Sequence, residues 1–311
     1  MTVLVNGGLG FVGSYVVRDL LARGERVVSL DWMVDGNTAQ MVLGQEEFSK
    51  MTVVSGDVAD PYCMNRVIKK HNVQRIVHLA SILTSFAIAD PALAFRVNCQ
   101  GLVNVLEAAH LFSVKRVVWA SSIGVFGSPE HHPGIVANDA PHYPDSIYGA
   151  SKSFGEHIAE QYHQTYGVGV IGLRFNVVYG VGVKRGGGGG RFNAALFEKP
   201  AQHEPSEVDF GDDICCWQHV EDAAGTVLAA LDAPPTLTRA YNTCGSVCSV
   251  RRVADLVREL IPDAVYTFLP GRMNVPCHFD DSLAVKELGY QGRISIEEGV
   301  RRTLRGFGVD C

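Results

Sequence analysis

Residues 2–13 have the sequence Thr2-Val3-Leu4-Val5-Asn6-Gly7-Gly8-Leu9-Gly10-Phe11-Val12-Gly13. The first five residues predict a buried β-strand, and the apolar pattern that starts at Phe11 predicts a helix. Gly7, Gly10 and Gly13 lie at the junction. Glycines at this spacing allow a tight turn, and they let the backbone approach a pyrophosphate held at the helix N-terminus. The segment therefore predicts the first strand and helix of a dinucleotide-binding sheet.

The rest of the first half alternates between short β-branched runs and amphipathic helices. Strands are predicted at Thr2–Asn6, Arg26–Leu30, Met51–Ser55, Arg75–Leu79, Lys115–Ala120 and Val168–Leu173. Helices are predicted at Phe11–Arg23, Pro61–Lys70, Leu93–His110 and Ile147–Tyr166. Apolar strands that alternate with helices are typical of a parallel sheet covered on both faces. The fold class is therefore α/β, a Rossmann doubly wound parallel sheet with a smaller C-terminal substrate domain.

The alternation loosens after Arg174, and this change sets the domain prediction. Residues 1–174 plus 219–245 are assigned to the dinucleotide-binding domain, and residues 175–218 plus 246–311 to the substrate-binding domain. A strand at Ala240–Thr243 and helices near Val250–Leu260 and Ile296–Phe307 are predicted in this second half. Gly186–Gly190 is a run of five glycines, either a flexible loop or a substrate-side loop whose amides face a polar ligand.

Composition excludes several classes of protein. The 311 residues are 47% hydrophobic, which disfavours disorder and provides for a large core. The net charge is −6 and there is no Lys/Arg-rich block, so nucleic-acid and anionic-membrane partners are disfavoured. The sequence shows no transmembrane helix or signal peptide. The eight cysteines form no CxxC pair and no zinc spacing, which indicates a cytoplasmic protein with reduced cysteines and no metal.

Asp31 points to the identity of the dinucleotide. It ends the second predicted strand, where a carboxylate can accept hydrogen bonds from both adenosine ribose hydroxyls. A 2′-phosphate at this place would meet like charge, and no Lys or Arg follows until Lys50. NAD is therefore favoured over NADP. Asp57, after the third strand, is placed to accept a hydrogen bond from the adenine amino group.

Several further motifs occur in an order that resembles the extended short-chain dehydrogenase/reductase family, whose largest branch contains NAD-dependent sugar epimerases and dehydratases. In the first half they are the glycine motif, His78-Leu79-Ala80, Val97-Asn98, Ser121-Ser122 and Tyr148-Gly149-Ala150-Ser151-Lys152. In the second half they are Arg174-Phe175-Asn176, His219-Val220-Glu221-Asp222, Tyr241-Asn242, Glu287–Tyr290 and Ser295–Gly299. The resemblance covers nearly the whole chain.

This resemblance implies roles for specific residues. The catalytic set is Ser122, Tyr148 and Lys152. The implied cofactor contacts are Gly7, Gly10, Phe11, Val12, Gly13, Asp31, Asp57, Val58, Leu79, Ala80, Ser81, Asn98, Tyr148, Lys152 and Phe175. The implied substrate contacts are Thr84, Ser122, Asn176 and Arg185. Asn98 is expected either to fix the helix ahead of the site or to serve only as a buried turn-former. His78 is expected to be structural, and His131-His132 a solvated pair without a metal.

The chemistry of the catalytic set agrees with this assignment. Tyr148 and Lys152 are four residues apart, so on a helix they share one face. A free tyrosine titrates near 10, and action as a base near pH 7 needs about 4 kcal/mol of phenolate stabilisation. Lys152 and the positive nicotinamide ring would supply it. Ser122 would hydrogen-bond the substrate oxygen while Tyr148 exchanges its proton.

Two departures from the family pattern bear on the reaction. The 4,6-dehydratases carry an Asp-Glu pair where Ser122 is followed by Ile123-Gly124, so water elimination is not expected. Nucleotide-sugar members carry an arginine before the His-Val-x-Asp segment, and its forked guanidinium grips a diphosphate. This chain has Cys215-Cys216 there, with Asp212 and Asp213 nearby to repel an anion. The cations that offer a substitute are Lys184, Arg185, Arg191 and Arg272.

Three functions remain open from the sequence. Leu79–Ser85, Trp119–Ile123 and the glycines after Gly180 resemble the short-chain-type L-threonine 3-dehydrogenase branch. The favoured interpretation is an NAD-dependent dehydrogenase for a small, non-nucleotide secondary alcohol. The alternatives are a nucleotide-sugar 4-epimerase that retains its NAD, and a catalytically silent NAD-binding regulator.

A homodimer is also expected, since family members commonly pair through two helices of each subunit. The apolar positions at helical spacing that would supply the contact are Val103, Leu106, Ala109, Phe154, Ile158 and Tyr162, and the alternative is that some of them pack only onto the sheet.

Overall fold

The computed structural model describes residues 1–183, 192–234 and 236–311. Its centre is a seven-stranded sheet in the order β10-β6-β5-β4-β1-β2-β3, and every neighbouring pair in it is parallel. Its strands are β1 (Thr2–Asn6), β2 (Arg26–Asp31), β3 (Thr52–Ser55), β4 (Arg75–His78), β5 (Arg116–Ser122), β6 (Val170–Phe175) and β10 (Arg239–Asn242). Strand order reverses beside β1, so the predicted doubly wound parallel sheet is confirmed.

Helices cover both faces of this sheet. Those in the first half are α1 (Phe11–Ala22), α2 (Asn37–Ser49), α3 (Pro61–His71), α4 (Thr84–Ala89), α5 (Pro91–Ala94), α6 (Gly101–Leu111) and α7 (Ile147–Tyr166). Those in the second half are α8 (Lys199–Ala201), α9 (Val220–Asp232), α10 (Val250–Leu260), α11 (Ser282–Leu288) and α12 (Ile296–Gly306). Helices α1 and α9 bury apolar side chains on one face of the sheet, and α3, α6 and α7 do so on the other.

The second half adds two small sheets. Strand β9 (Ile214–His219) lies between β7 (Val177–Tyr179), which is parallel to it, and β11 (Ser246–Ser249), which is antiparallel. Strands β8 (Ser206–Asp209) and β12 (Tyr266–Leu269) form a parallel pair. These strands share a separate apolar core with α10 and α12, which includes Tyr179, Phe197 and Trp217.

The predicted helix Leu93–His110 has a more complex form. It consists of α5, a π-helical segment at Phe95–Gln100 and then α6. Wide π turns often occur at functional sites, and this one contains Asn98. Helix α2 was not predicted because its apolar pattern is weak and because Gly44, with φ 75°, kinks it.

No helix in the described ranges of the chain has the length and apolar character needed to cross a membrane.

Candidate functional site

The glycine turn after β1 has the shape that a dinucleotide pyrophosphate needs. Gly7 has φ 84°, and a Cβ at Gly13 would lie only 2.0 Å from the Gly7 carbonyl oxygen. Side chains at these positions would therefore block the turn. Helix α1 begins directly after Gly10 and receives no hydrogen bond from a side-chain cap. The N–H groups of its first turn, which includes Phe11 and Val12, suit an anion. NAD fits this turn.

Asp31 lies at the carboxyl end of β2 beside the glycine turn. Its two carboxylate oxygens each accept a hydrogen bond from the Leu9 backbone N–H at 3.3 Å. One oxygen also accepts from the Ser29 hydroxyl at 2.6 Å. Trp32, which follows, is exposed. The carboxylate is thus held at the place predicted for ribose recognition.

Asp57 and Val58 follow β3 at the same edge of the sheet. One Asp57 oxygen accepts from the Ala59 backbone N–H at 2.8 Å, and the other lies 3.4 Å from Arg96 Nη2. Val58 is buried, and its carbonyl accepts from Asn104. The sequence does not predict this contact of Arg96 with Asp57, because no local pattern joins two residues 39 positions apart.

Asn98 holds the segment that follows β4. Its Oδ1 accepts from the Ser81 hydroxyl at 3.1 Å and from the Ile82 backbone N–H at 2.7 Å. Its Nδ2 donates to the Ile82 carbonyl at 3.0 Å and to the Ser151 hydroxyl at 3.1 Å. The Ala80 backbone packs directly against Gly7. The predicted cofactor segment Leu79–Ser81 therefore lies between the glycine turn and Asn98, so Asn98 does more than form a turn.

The structure brings Ser122, Tyr148 and Lys152 together at the carboxyl end of β5. Ser122 ends that strand and accepts a hydrogen bond from the Gly124 backbone N–H at 3.1 Å. Tyr148 lies in the first turn of α7, and Lys152 follows one turn later. Lys152 Nζ donates to the Ala120 carbonyl at 2.7 Å and lies 5.4 Å from the centre of the Tyr148 ring.

Burial controls the ionisation of this set. It lowers the pKa of the Lys152 ammonium, whose residue is only 4% exposed, to about 7. Burial also raises the pKa of the Tyr148 phenol, and a hydrogen bond with Ser122 opposes that rise. Low polarity disfavours both charged forms. Ionising the phenol therefore needs a nearby positive charge.

The predicted substrate residues are less closely gathered. Asn176 follows Phe175 at the end of β6, and its amide donates to the Thr243 carbonyl. Thr84 is exposed at the first position of α4. Arg185 and the Gly186–Gly190 run lie outside the described residues.

A buried ionic network beneath the site was not predicted. The Glu156 carboxylate on α7 accepts from Arg174 Nη2 at 2.6 Å, and from Arg174 Nε and the Ser121 hydroxyl at 2.9 and 2.5 Å. Burial alone would raise the pKa of Glu156, but hydrogen bonds from Arg174 and His142 lower it to about 2. The network ties α7 to β5, which ends at Ser122, and to β6, which directly precedes Asn176. Its members are far apart in the sequence, so no local pattern predicts it. The one local signal is the eight-residue spacing of Tyr148 and Glu156, which places both on neighbouring positions of one side of the helix.

Strand β9 carries two cysteines at the position where nucleotide-sugar members of the family have the arginine that binds the diphosphate. Cys215 and Cys216 are both buried, and Cys215 Sγ lies 4.0 Å from Met273 Sδ. Asp212 and Asp213, which are predicted to repel an anion there, each have a hydrogen-bonding partner. Asp212 pairs with Arg251 at 2.9 Å, and Asp213 accepts from the Met273 backbone N–H. Arg272 is exposed; Lys184 and Arg191 lie outside the described residues.

Two of the six apolar residues considered for a dimer contact are not available for one. Leu106 and Ala109 are completely buried within the protomer, because α6 packs against both the sheet and its neighbouring helices. Phe154 is 40% exposed and is available for contact. Val103, Ile158 and Tyr162 are half-buried.

The histidines noted in the sequence have structural partners. His132 Nε2 lies 3.2 Å from the Phe126 carbonyl, and His131 stacks on Tyr143. His78 is buried beside Asn6, and burial lowers its pKa to about 3. In the described part of the chain, no group of three or more His, Cys, Asp or Glu residues is arranged to hold a metal ion.

Comparison with known proteins places this geometry in a family. UDP-glucuronate 4-epimerase 4 of Arabidopsis thaliana is 29% identical over 99% of this chain and 75% of its own length. The UDP-glucose 4-epimerase of Thermus thermophilus, solved with NAD, is 27% identical, with a TM-score of 0.86 over 100% of both chains. L-threonine dehydrogenase from Phytophthora infestans is 25% identical, with a TM-score of 0.87 over 99% of this chain and 100% of that one. Residues 3–244 match the NAD dependent epimerase/dehydratase family, and the chain belongs to that family of NAD-dependent enzymes.

Proposed function

We propose that the protein is an NAD-dependent oxidoreductase that interconverts a secondary alcohol and a ketone in a small, non-nucleotide substrate. The observation that carries this proposal is the buried Cys215-Cys216 pair on β9. A diphosphate needs bidentate cationic partners, whereas this strand supplies neutral thiols packed among apolar side chains. Asp213 adds a carboxylate beside the backbone of Met273.

Each member of the proposed catalytic set has a distinct role. The Ser122 hydroxyl and the Tyr148 phenol hydrogen-bond the oxygen of the reacting carbon. The Tyr148 phenol oxygen takes the proton from the alcohol, and it returns a proton in the reverse direction. Lys152, fixed by the Ala120 carbonyl, favours the ionised phenol when it is itself protonated. NAD supplies the hydride acceptor at this place.

The remaining assignments belong to the same proposal. The glycine turn, Asp31, Asp57, Val58, Leu79–Ser81, Asn98 and Phe175 are proposed to contact NAD, and Thr84, Asn176 and Arg185 the substrate. Residues 1–174 plus 219–245 are proposed as the NAD-binding domain, and 175–218 plus 246–311 as the substrate-binding domain. A homodimer in the cytoplasm is proposed from the exposed Phe154 face and from the eight free thiols.

A second candidate is a nucleotide-sugar 4-epimerase that retains NAD. The relatives favour it, since UDP-glucuronate 4-epimerase 4 of Arabidopsis thaliana matches almost the whole chain. In this function, the same Ser122, Tyr148 and Lys152 would serve both oxidation and reduction of one sugar carbon. Arg272 would then have to turn toward a diphosphate.

The two functions differ in whether the reaction converts NAD⁺ to NADH overall. Purified protein would be incubated with NAD⁺ and, separately, with a panel of small hydroxy acids and amino alcohols or with UDP- and GDP-sugars. A dehydrogenase releases NADH, which absorbs near-ultraviolet light, in proportion to product. An epimerase converts the sugar nucleotide without net NADH. Epimer formation from a UDP-sugar with no NADH would overturn the dehydrogenase proposal.

A further inference from the structure

We propose that Cys216 and Cys244 form a reversible disulfide when the protein meets a hydroperoxide. The two sulfur atoms lie 3.4 Å apart, although the residues are 28 positions apart in the sequence. Cys216 lies on β9, and Cys244 lies in the turn between β10 and β11. A disulfide needs about 2 Å between the sulfurs, which a modest side-chain movement reaches from this separation.

The surroundings divide the pair into an attacking and a resolving thiol. Cys244 is half-buried, so a small oxidant can reach it, whereas Cys216 is buried against Ile123, Val125 and Phe279. The Cys216 thiol hydrogen-bonds Cys244 and lowers the pKa of the Cys244 thiol, which favours its thiolate. The pKa of Cys216 is raised by this hydrogen bond and by burial. An accessible thiolate beside a buried partner is typical of redox-sensing pairs.

The reaction balances with one hydroperoxide for each disulfide. The Cys244 thiolate attacks the terminal peroxide oxygen, the O–O bond breaks, and Cys244 becomes a sulfenic acid as hydroxide or alkoxide leaves and takes up a proton. The Cys216 sulfur then attacks the sulfenic sulfur, the S–S bond forms, and water leaves with the Cys216 proton. Hydrogen peroxide is thereby reduced to two water molecules by the two electrons of the thiols. A reducing thiol reverses the cross-link by exchange.

The cross-link would act close to the candidate substrate site. Thr243 precedes Cys244, and its carbonyl accepts the amide of Asn176. The Thr243 hydroxyl donates to the Arg174 carbonyl at 2.9 Å. Gly245, on the other side, donates its N–H to Cys216 Sγ at 3.3 Å. A disulfide would therefore fix the segment that orients Asn176 against β9.

A second pair of cysteines provides a matched control. Cys215 and Cys248 lie opposite each other in the antiparallel β9–β11 register. The Cys215 thiol is buried in a different apolar core, beside Met273, and burial raises its pKa to about 12. The structure therefore predicts that peroxide oxidises the Cys216–Cys244 pair and leaves Cys215 and Cys248 as thiols.

The test uses the folded, full-length chain and hydrogen peroxide. After a brief treatment, free thiols are blocked by alkylation, and disulfide-linked peptides are identified by mass spectrometry. We expect two of the eight thiols to be lost in a Cys216–Cys244 link and to return with dithiothreitol. The C215A/C248A double variant should keep the link, and Cys216→Ala and Cys244→Ser should each lose it. No link in the wild type, a link between Cys215 and Cys248, or a link that survives in Cys244→Ser would overturn the proposal.

Discussion

The Asn98 side-chain amide donates a hydrogen bond to the Ser151 hydroxyl at 3.1 Å. The Ser151 hydroxyl in turn donates to the Tyr148 carbonyl at 2.7 Å. Two hydrogen bonds thus connect the π-helical segment to the turn of α7 that carries Tyr148 and Lys152. Because Asn98 also accepts a hydrogen bond from the Ser81 hydroxyl, it joins the predicted cofactor segment to the proposed catalytic helix.

Asn98→Ala should lower the free energy of unfolding by about 1–3 kcal/mol, because it leaves partly buried backbone groups of Ile82 without their side-chain partners. Urea titration measures this loss. Asn98→Asp keeps an acceptor for the Ile82 N–H, but it loses the donors to the Ile82 carbonyl and to Ser151 and buries a carboxylate beside that carbonyl, so its loss should be at least as large. Equal stability of Asn98→Ala and the wild type would contradict this account.

Tyr148→Phe should lower turnover by about 10²–10⁴-fold, because the phenol oxygen that exchanges the substrate proton is removed. The variant should still bind NAD⁺, and quenching of tryptophan fluorescence measures this binding. Tyr166→Phe, at the exposed end of the same helix, is the matched control and should leave turnover unchanged. Lys152→Ala should impair both turnover and NAD⁺ binding. If Tyr148→Phe kept more than a tenth of the rate, Tyr148 would not be the proton-exchanging group.

Asp31 should make NAD⁺ at least about tenfold better than NADP⁺ in kcat/KM, a ratio that needs only about 1.4 kcal/mol. In NADP⁺ the 2′-phosphate meets like charge beside this carboxylate, and the carboxylate no longer has a 2′-hydroxyl to donate a hydrogen bond to it. Asp31→Ala should narrow the ratio, mainly through poorer use of NAD⁺. The exposed Asp35 provides the control variant, Asp35→Ala, which should keep the wild-type ratio. Equal use of both cofactors by the wild type would show that Asp31 does not face the ribose.

His78 should make the protein sensitive to acid. Its pKa is about 3 in the folded state because of burial, against an ordinary value of 6.5. The unfolded chain therefore binds a proton that the folded chain excludes, and stability present above pH 6.5 is lost as the pH falls toward 3. Between pH 7 and pH 5 this one group should cost about 2 kcal/mol. The loss over that interval, measured by urea titration, should be smaller by this amount in His78→Asn. An unchanged loss would mean that His78 is protonated or exposed in the folded protein.

Phe154→Glu should convert the proposed homodimer into a monomer, since the change places a charge on an exposed apolar position of α7. Light scattering at micromolar concentration gives the mass directly. Val265→Glu alters an equally apolar, exposed position in the second half and should leave the dimer intact. A wild-type mass of one chain would exclude the homodimer.

The parts of the fold that the sequence predicts well are those with local causes. The glycine turn at Gly7–Gly13 lies within seven residues, and the Tyr148 helix has the predicted bounds Ile147–Tyr166 because a cap and a periodic pattern mark it. Long-range features escaped prediction. Glu156 pairs with Arg174 only after α7 packs on the sheet. Leu106 is apolar at a helical spacing, but the sequence does not show that the sheet and neighbouring helices bury it.

The path of the chain between the two sheets determines how the protein unfolds. Strands β7 and β9 belong to the three-stranded sheet, the chain then returns to the seven-stranded sheet as β10, and it leaves again as β11. Cleaving the chain at one point therefore cannot separate either of these two sheets with all of its strands. Unfolding of β10 would expose the edge of β6 in the seven-stranded sheet, and it would also pull β11, the next strand in the chain, away from β9. We expect heat or denaturant to melt both sheets in one cooperative transition, so a ligand gripped by either sheet would protect the whole chain from proteolysis.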